Sequence, residues 1–136
     1  MSSMWFGDPA VIPPGVSTRT VSFENPTGAA GSAGTAGGGR KGAPQRVLAV
    51  GERVVLADLD GPGRVGHIWM TVPPMQPEHL RAVLLEVFYD GAPTPSVSVP
   101  AADFFGAPMG RPVPYHSALQ STQEGRGFNS YLVGST

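Results

Sequence analysis

A chain of 136 residues is long enough to form one domain with one moderate hydrophobic core. Its net charge is −1 and only 14% of its residues are charged, so it has no basic field that would attract nucleic acid. The absence of cysteine excludes disulfides and thiolate metal sites. The N-terminus lacks a basic start followed by an apolar run, and no apolar stretch approaches the ~20 residues that span a bilayer. We therefore expect a soluble cytoplasmic protein without a membrane partner.

Residues 1–45 are typical of a loop-rich arm, because prolines interrupt any long helix near the N-terminus. Residues 18–23 alternate weakly and predict a short strand. Residues 28–42 are so rich in glycine that, taken alone, they indicate a flexible linker. The alternative is a substrate loop whose backbone approaches a ligand closely, with Arg40 and Lys41 at its tip.

Residues 56–72 contain two alternating runs on either side of a Gly/Pro turn at residues 60–63, which predicts a β-hairpin. On the second run, the apolar alternates are expected to face the core. His67, Trp69 and Thr71 then point to the other face. Such a face can stack on a sugar ring and hydrogen-bond to its rim, although composition alone favours the simpler interpretation, a half-buried strand with a satisfied histidine.

The rest of the chain predicts further short strands that are joined by Gly/Pro turns. They are residues 46–50, 53–59, 81–89, 96–99 and 128–133, with Asp90-Gly91 as the turn that ends the apolar run 81–89. No long helix or internal repeat is evident. The pattern predicts an all-β fold, a β-sandwich or jelly roll, over residues 46–136.

Side chains that could carry chemistry are few. His67, His79 and His116 share no metal-ligand spacing, so we predict no metal and no cofactor. A Gly-x-Ser-x-Gly nucleophile motif is also absent. Glycoside hydrolysis would need two facing carboxylates, and the sequence does not indicate which two meet. Glu24 and Asp103 stand out because each lies beside aromatic rings or a Gly-rich loop, but solvated loop carboxylates are the simpler alternative.

Several short segments together resemble glycoside hydrolase family 172, which was earlier catalogued as domain of unknown function 2961. They are SFENPTG at residues 22–28, the Gly-rich stretch to KGA at 41–43, LDGPG at 59–63 with HIW at 67–69, YDG at 89–91 with PSV at 95–97, VP at 99–100 with DFFG at 103–106, and NSY at 129–131. The segments follow the family's order over about residues 20–131.

The resemblance implies a jelly roll that assembles into trimers or larger rings. It also implies retaining hydrolysis of fructofuranosyl or arabinofuranosyl linkages by two glutamates. Those glutamates belong to a part of the family beyond the matched segments, since LVGST follows NSY here where the family has Pro-Met-Pro-Phe. We therefore expect an N-terminal portion of such an enzyme, an incomplete jelly roll that is inactive alone.

The resemblance assigns no catalytic residue to this chain, but it implies a set of substrate-binding residues. They are Glu24, Asn25, Arg40, Lys41, His67, Trp69, Asp103, Phe104 and Phe105. The first four would lie on loops near the pocket, and the next two would line it. The last three would shape the pocket, face a neighbouring subunit or simply pack in a loop. A different class of function, a non-catalytic jelly-roll module that binds carbohydrate or forms an oligomer, stays open.

Overall fold

The computed structural model describes residues 11, 14–35, 42, 45–123 and 127–130. The chain divides into two compact units, Met1–Leu59 and Asp60–Thr136. Within the described residues, all helices and strands belong to the second unit, and no helix is long and apolar enough to cross a membrane. The division into an arm over residues 1–45 and a domain over 46–136 stays a prediction.

The described residues of the first unit form turns, and Asn25 holds one of them. Asn25 is 4% exposed. Its Oδ1 accepts from the Ala29 backbone N–H at 3.1 Å, and its Nδ2 donates to the Ala29 carbonyl at 3.0 Å. Its backbone also exchanges hydrogen bonds with that of Ser22. Because both ends of the amide are used, the side chain replaces the ladder that a strand would have supplied.

A second turn in this unit closes on Glu52. The carboxylate accepts from the Ala49 backbone N–H at 2.9 Å and pairs with the Arg46 guanidinium. The Ala49 N–H, and after it Arg46, hold the pKa of the Glu52 carboxyl below its ordinary value, because both hydrogen bonds favour the charged form.

The second unit consists of short elements. In chain order they are β1 Ile68–Thr71, α1 Pro77–Arg81, β2 Leu84–Val87, β3 Val97–Pro100, α2 Ala101–Phe104, a 3₁₀ turn Pro108–Gly110, β4 Tyr115–His116, β5 Gln120–Thr122 and β6 Gly127–Ser130. One antiparallel sheet has the strand order β1-β6-β5-β4, and β2 and β3 form a second antiparallel pair. The predicted all-β class is confirmed, and the jelly-roll topology stays a prediction.

The core of this unit lies between one face of the four-stranded sheet and the two short helices. Phe105 and Phe128 are its largest members, exposed by 0% and 1%, and their rings stack with centroids 5.5 Å apart. Leu80 of α1 and Ala102 of α2 are buried beside them. Fully burying one such ring is worth roughly 1.5–3 kcal/mol, so this small cluster supplies much of the unit's stability.

The β2–β3 pair confirms the predicted turn at Asp90-Gly91. Both residues have positive φ, 53° and 68°, and the Ala92 N–H donates to the Tyr89 carbonyl across them at 2.9 Å. Such a conformation favours glycine and tolerates aspartate.

The long strand predicted for residues 81–89 was wrong at its start. Helix α1 occupies Pro77–Arg81, and β2 begins only at Leu84. Proline at the first helical turn and Glu78 beside the helix N-terminus favour the helix there.

The hairpin predicted over residues 56–72 was also wrong. Residues 53–59 form no strand, and their side chains at Val55, Leu56 and Leu59 are exposed, whereas β1 pairs with β6. The strands predicted at 18–23 and 46–50 are absent as well, apart from an isolated bridge between Ser22 and Asn25. These runs bury too little apolar surface to offset the entropy of ordering them as strands.

Candidate functional site

The face of the four-stranded sheet opposite the core carries one residue from each strand in a single row. Trp69 of β1 lies opposite Asn129 of β6. Asn129 lies opposite Ser121 of β5, and Ser121 lies opposite His116 of β4. We call Trp69, Asn129, Ser121 and His116 the cross-sheet row. Since side chains alternate across a sheet, opposite residues share one face, so these four side chains are neighbours.

Hydrogen bonds connect the middle of this row to His67. The Nε2 atom of His67 lies 3.1 Å from Asn129 Oδ1. On the other side, Asn129 Nδ2 donates to Ser121 Oγ at 3.3 Å. Asn129 and Ser121 are only 7% and 6% exposed, whereas His67 is exposed. A buried polar pair therefore supports an imidazole ring that solvent can reach.

Trp69 presents a large apolar surface beside these polar groups. Its side chain is 60% exposed, although residues before and after it on β1 are half-buried. An exposed indole beside histidine, amide and hydroxyl groups can stack on the face of a sugar ring and hydrogen-bond to its hydroxyls. Within the described ranges, no three His, Asp or Glu side chains are grouped so as to bind a metal ion.

The opposite face of the same strands fixes the sheet to α2. Tyr115 donates its hydroxyl to the Phe105 carbonyl at 2.7 Å, and Gln120 Nε2 donates to the Phe104 carbonyl at 2.6 Å. Thr122 Oγ1 donates more weakly to the Phe105 carbonyl at 3.4 Å. These bonds hold β4 and β5, and therefore the cross-sheet row, on a rigid support.

Of the nine predicted substrate-binding residues, the structure places Trp69 on β1 and His67 directly before that strand, and Asn129 lies next to both. Asp103 lies on α2 instead of a loop, and its carboxylate accepts from Arg81 at 3.0 Å. The Phe104 ring meets the Phe105 ring edge-on at a centroid distance of 5.2 Å. Phe105 is wholly buried, so its ring is a core element that no ligand at the surface reaches.

The remaining four predicted residues belong to the first unit. Arg40 and Lys41 lie outside the described residues. Asn25 uses its amide to hold the turn described above, and Glu24 is half-buried beside it. Their contacts with a substrate stay predictions.

An open groove of about 450 Å³ lies in the same unit. It is lined by residues 17–19 and 27–30, among which Arg19 is charged and none is an acid or a histidine. The described residues that line the groove therefore supply no general acid or base.

Sequence reasoning missed Asn129, Ser121 and His116. Asn129 lies in the segment NSY that contributed to the resemblance, and Phe128 before it alternates from apolar to polar. That alternation indicates a strand with Asn129 facing away from the core. Nothing local shows that Asn129 meets Ser121 and His67, since His67 lies 62 residues earlier in the chain.

Comparison with known proteins identifies a family. A family model described as GH172 domain-like matches residues 41–132, which is more than half of the chain and includes the cross-sheet row and His67. Searches of curated proteins and of solved structures found no match.

Proposed function

Since this chain belongs to glycoside hydrolase family 172, we propose that it supplies the substrate-binding and assembly surface of a retaining hydrolase acting on fructofuranosyl or arabinofuranosyl linkages. The observation that carries the proposal is the exposed Trp69 beside hydrogen-bonding groups held by buried partners. A single exposed apolar side chain is common on protein surfaces and does not by itself indicate a binding site. An indole that lies in one row with hydrogen-bonding side chains is suited to binding a carbohydrate.

The proposal assigns binding to these residues and leaves the acid and base elsewhere. A retaining mechanism needs two carboxyl groups about 5–5.5 Å apart. The cross-sheet row and His67 contain no carboxylate, and Asp103, one of the two acids among the predicted substrate-binding residues, is paired with Arg81. Stacking and hydrogen bonding are therefore the chemistry that this face offers.

Isothermal titration with arabinofuranosyl and fructofuranosyl oligosaccharides tests the proposal. We expect Trp69→Ala to weaken binding at least tenfold, which corresponds to about 1.4 kcal/mol, because the indole supplies the stacking surface. Leu84→Ala is the matched control. Leu84 is also 60% exposed but lies on β2, in the other sheet. Its removal should leave binding unchanged, and thermal melting should show that both variants are folded.

The same proteins are assayed for hydrolysis of p-nitrophenyl arabinofuranosides and of fructofuranosyl disaccharides. Binding without turnover, lost in Trp69→Ala only, supports the assignment. Turnover by the 136-residue chain would show that a carboxylate pair lies within it, and Glu24 and Asp103 would then be the first residues to replace. Equal loss in both variants, or no binding of either sugar class, would refute a furanoside surface centred on Trp69.

The second candidate is a module that binds carbohydrate, or forms an oligomer, without belonging to a catalytic assembly. The lack of any carboxylate in the cross-sheet row favours it. The hydrolase proposal predicts higher affinity for furanosides than for pyranosides, so the same titration with pyranose oligosaccharides distinguishes the two. A module of broader use would bind both.

A further inference from the structure

We propose that His116 is a second contact for the ligand of Trp69, so that the cross-sheet row binds an oligosaccharide of about three or more units lying across the strands. This second contact rests on the function proposed above. It adds to that function the length of the sugar chain and the side chain that receives its far end.

The exposed side chains of the cross-sheet row lie at its two ends. Trp69 is 60% exposed on β1, and His116 is exposed on β4. These are the two edge strands of the four-stranded sheet. Between them, Asn129 and Ser121 are nearly buried and bonded to each other. The middle of the row is therefore a support, and its ends offer most of the surface that a ligand can touch.

The distance between the two ends sets the size of a ligand that contacts both. Three strand intervals of about 4.8 Å separate β1 from β4, so the backbones of Trp69 and His116 lie about 14 Å apart. A single sugar ring is comparable in size with the indole on which it stacks, so it covers one end only. Each further sugar unit advances the chain by about one strand interval, so about three units reach from the indole to the imidazole.

The backbone around His116 is held on both sides. Before it, the Tyr115 hydroxyl donates to the Phe105 carbonyl at 2.7 Å. After it, the Ser117 N–H donates to the Gln120 carbonyl at 2.9 Å, and the Ser117 Oγ accepts from the Gln120 N–H at 2.9 Å. A fixed backbone lowers the entropy that a ligand would lose on binding there.

The His116 ring is also available to a ligand. Among the described residues, its side chain has no hydrogen bond or ion pair. A neutral imidazole offers one donor and one acceptor, which match the hydroxyl groups of a sugar. No Asp, Glu, Lys or Arg belongs to the cross-sheet row, so the row supplies stacking and hydrogen bonds to an uncharged sugar chain.

Isothermal titration with arabinofuranosyl and fructofuranosyl oligosaccharides, from disaccharide to pentasaccharide, tests the proposal. The affinity of the wild type should rise with length and level off at about the trisaccharide. His116→Ala should weaken tetrasaccharide binding by about three- to tenfold, as expected for the loss of one hydrogen bond, and should leave disaccharide binding unchanged. Trp69→Ala should weaken binding at every length.

His79→Ala is the matched control, because His79 is also an exposed histidine but lies on α1, outside the sheet. It should bind every length as the wild type does, and thermal melting should show that all variants are folded. Side-chain ¹⁵N–¹H spectra of the wild type add a direct measure of contact. The His116 signals should shift with the tetrasaccharide and not with the disaccharide, whereas the His79 signals should shift with neither.

The outcomes separate this second contact from the proposed function. If furanosides bind but the disaccharide and tetrasaccharide bind equally, or His116→Ala binds the tetrasaccharide as the wild type does, the His116 contact is overturned and the furanoside surface stands. If only pyranose oligosaccharides bind, with the same dependence on length and on His116, the extended row stands and the furanoside assignment fails. If no oligosaccharide of either class binds, both are overturned.

Discussion

Replacing Gly110 by alanine should destabilise the second unit more than its small size suggests. Gly110 ends the 3₁₀ turn, is buried and has φ of +63°. A Cβ there would collide with the carbonyl group of Pro77, which is backbone at the start of α1 and cannot rotate away. The left-handed conformation costs an alanine roughly 1–2 kcal/mol, and the forced shift of α1 adds about 1–3 kcal/mol, as for overpacking in a core.

Urea denaturation at 25 °C measures this loss, with Gly91→Ala as the matched control. Gly91 has nearly the same conformation, φ of +68°, but nothing lies within 4 Å of the position that its Cβ would take. It should therefore lose only the conformational part, about 1–2 kcal/mol. Because the two substitutions differ in the steric clash alone, equal unfolding midpoints for the two variants would refute the idea that Gly110 is required for the packing of α1.

Three further outcomes are expected. Gly106→Ala should destabilise the protein because its Cβ would strike the Tyr115 hydroxyl oxygen and would lie 2.9 Å from Cζ of the same ring. Thermal melting should show a smaller loss in a Tyr115→Phe background, which lacks that oxygen, and an equal loss in both backgrounds would contradict the clash. The Glu52 turn should be fully stable above the pKa of an unfolded glutamate, about 4.3, and should open as the pH falls through the lower folded value. The Ala49 amide shift should report that titration, and its persistence in Glu52→Gln would disprove the assignment. Light scattering should give a trimer or a multiple of three, and a monomer at all concentrations would count against the assembly surface.

The parts of the fold that local chemistry determines could be predicted from the sequence. The alternation in β1 placed Ile68 and Met70 towards the core and Trp69 away from it, and the structure has that pattern of exposure. The Asp90-Gly91 turn was equally predictable, because few residue pairs accept two successive positive φ angles. In both cases the residues that determine the local conformation lie within a few positions of one another in the sequence.

Strand pairing and the candidate site could not be predicted in this way. Residues 53–59 alternate like a strand, yet the partner of β1 is β6, about 60 residues further along the chain. Several runs with similar alternation could pair with β1, and the run that does so is the one that also completes the hydrophobic core. Phe128 does this by stacking on Phe105, and it brings Asn129 opposite Trp69 as a consequence.

Destabilising β6 should therefore disrupt both the packing of the core and the hydrogen bonds of the candidate site. Phe128 lies opposite Met70, and the next residue, Asn129, is bonded to His67, so one register serves both faces. Phe128→Ala should cost about 3–5 kcal/mol and should accelerate amide hydrogen exchange in β1 and β5, which pair with β6. Asn129→Ala removes the bond to His67 but leaves the stacked rings in place, so exchange in β1 should change much less. If Phe128→Ala loosened the core while the His67 side-chain spectrum kept its wild-type form, the site would not depend on the register of β6.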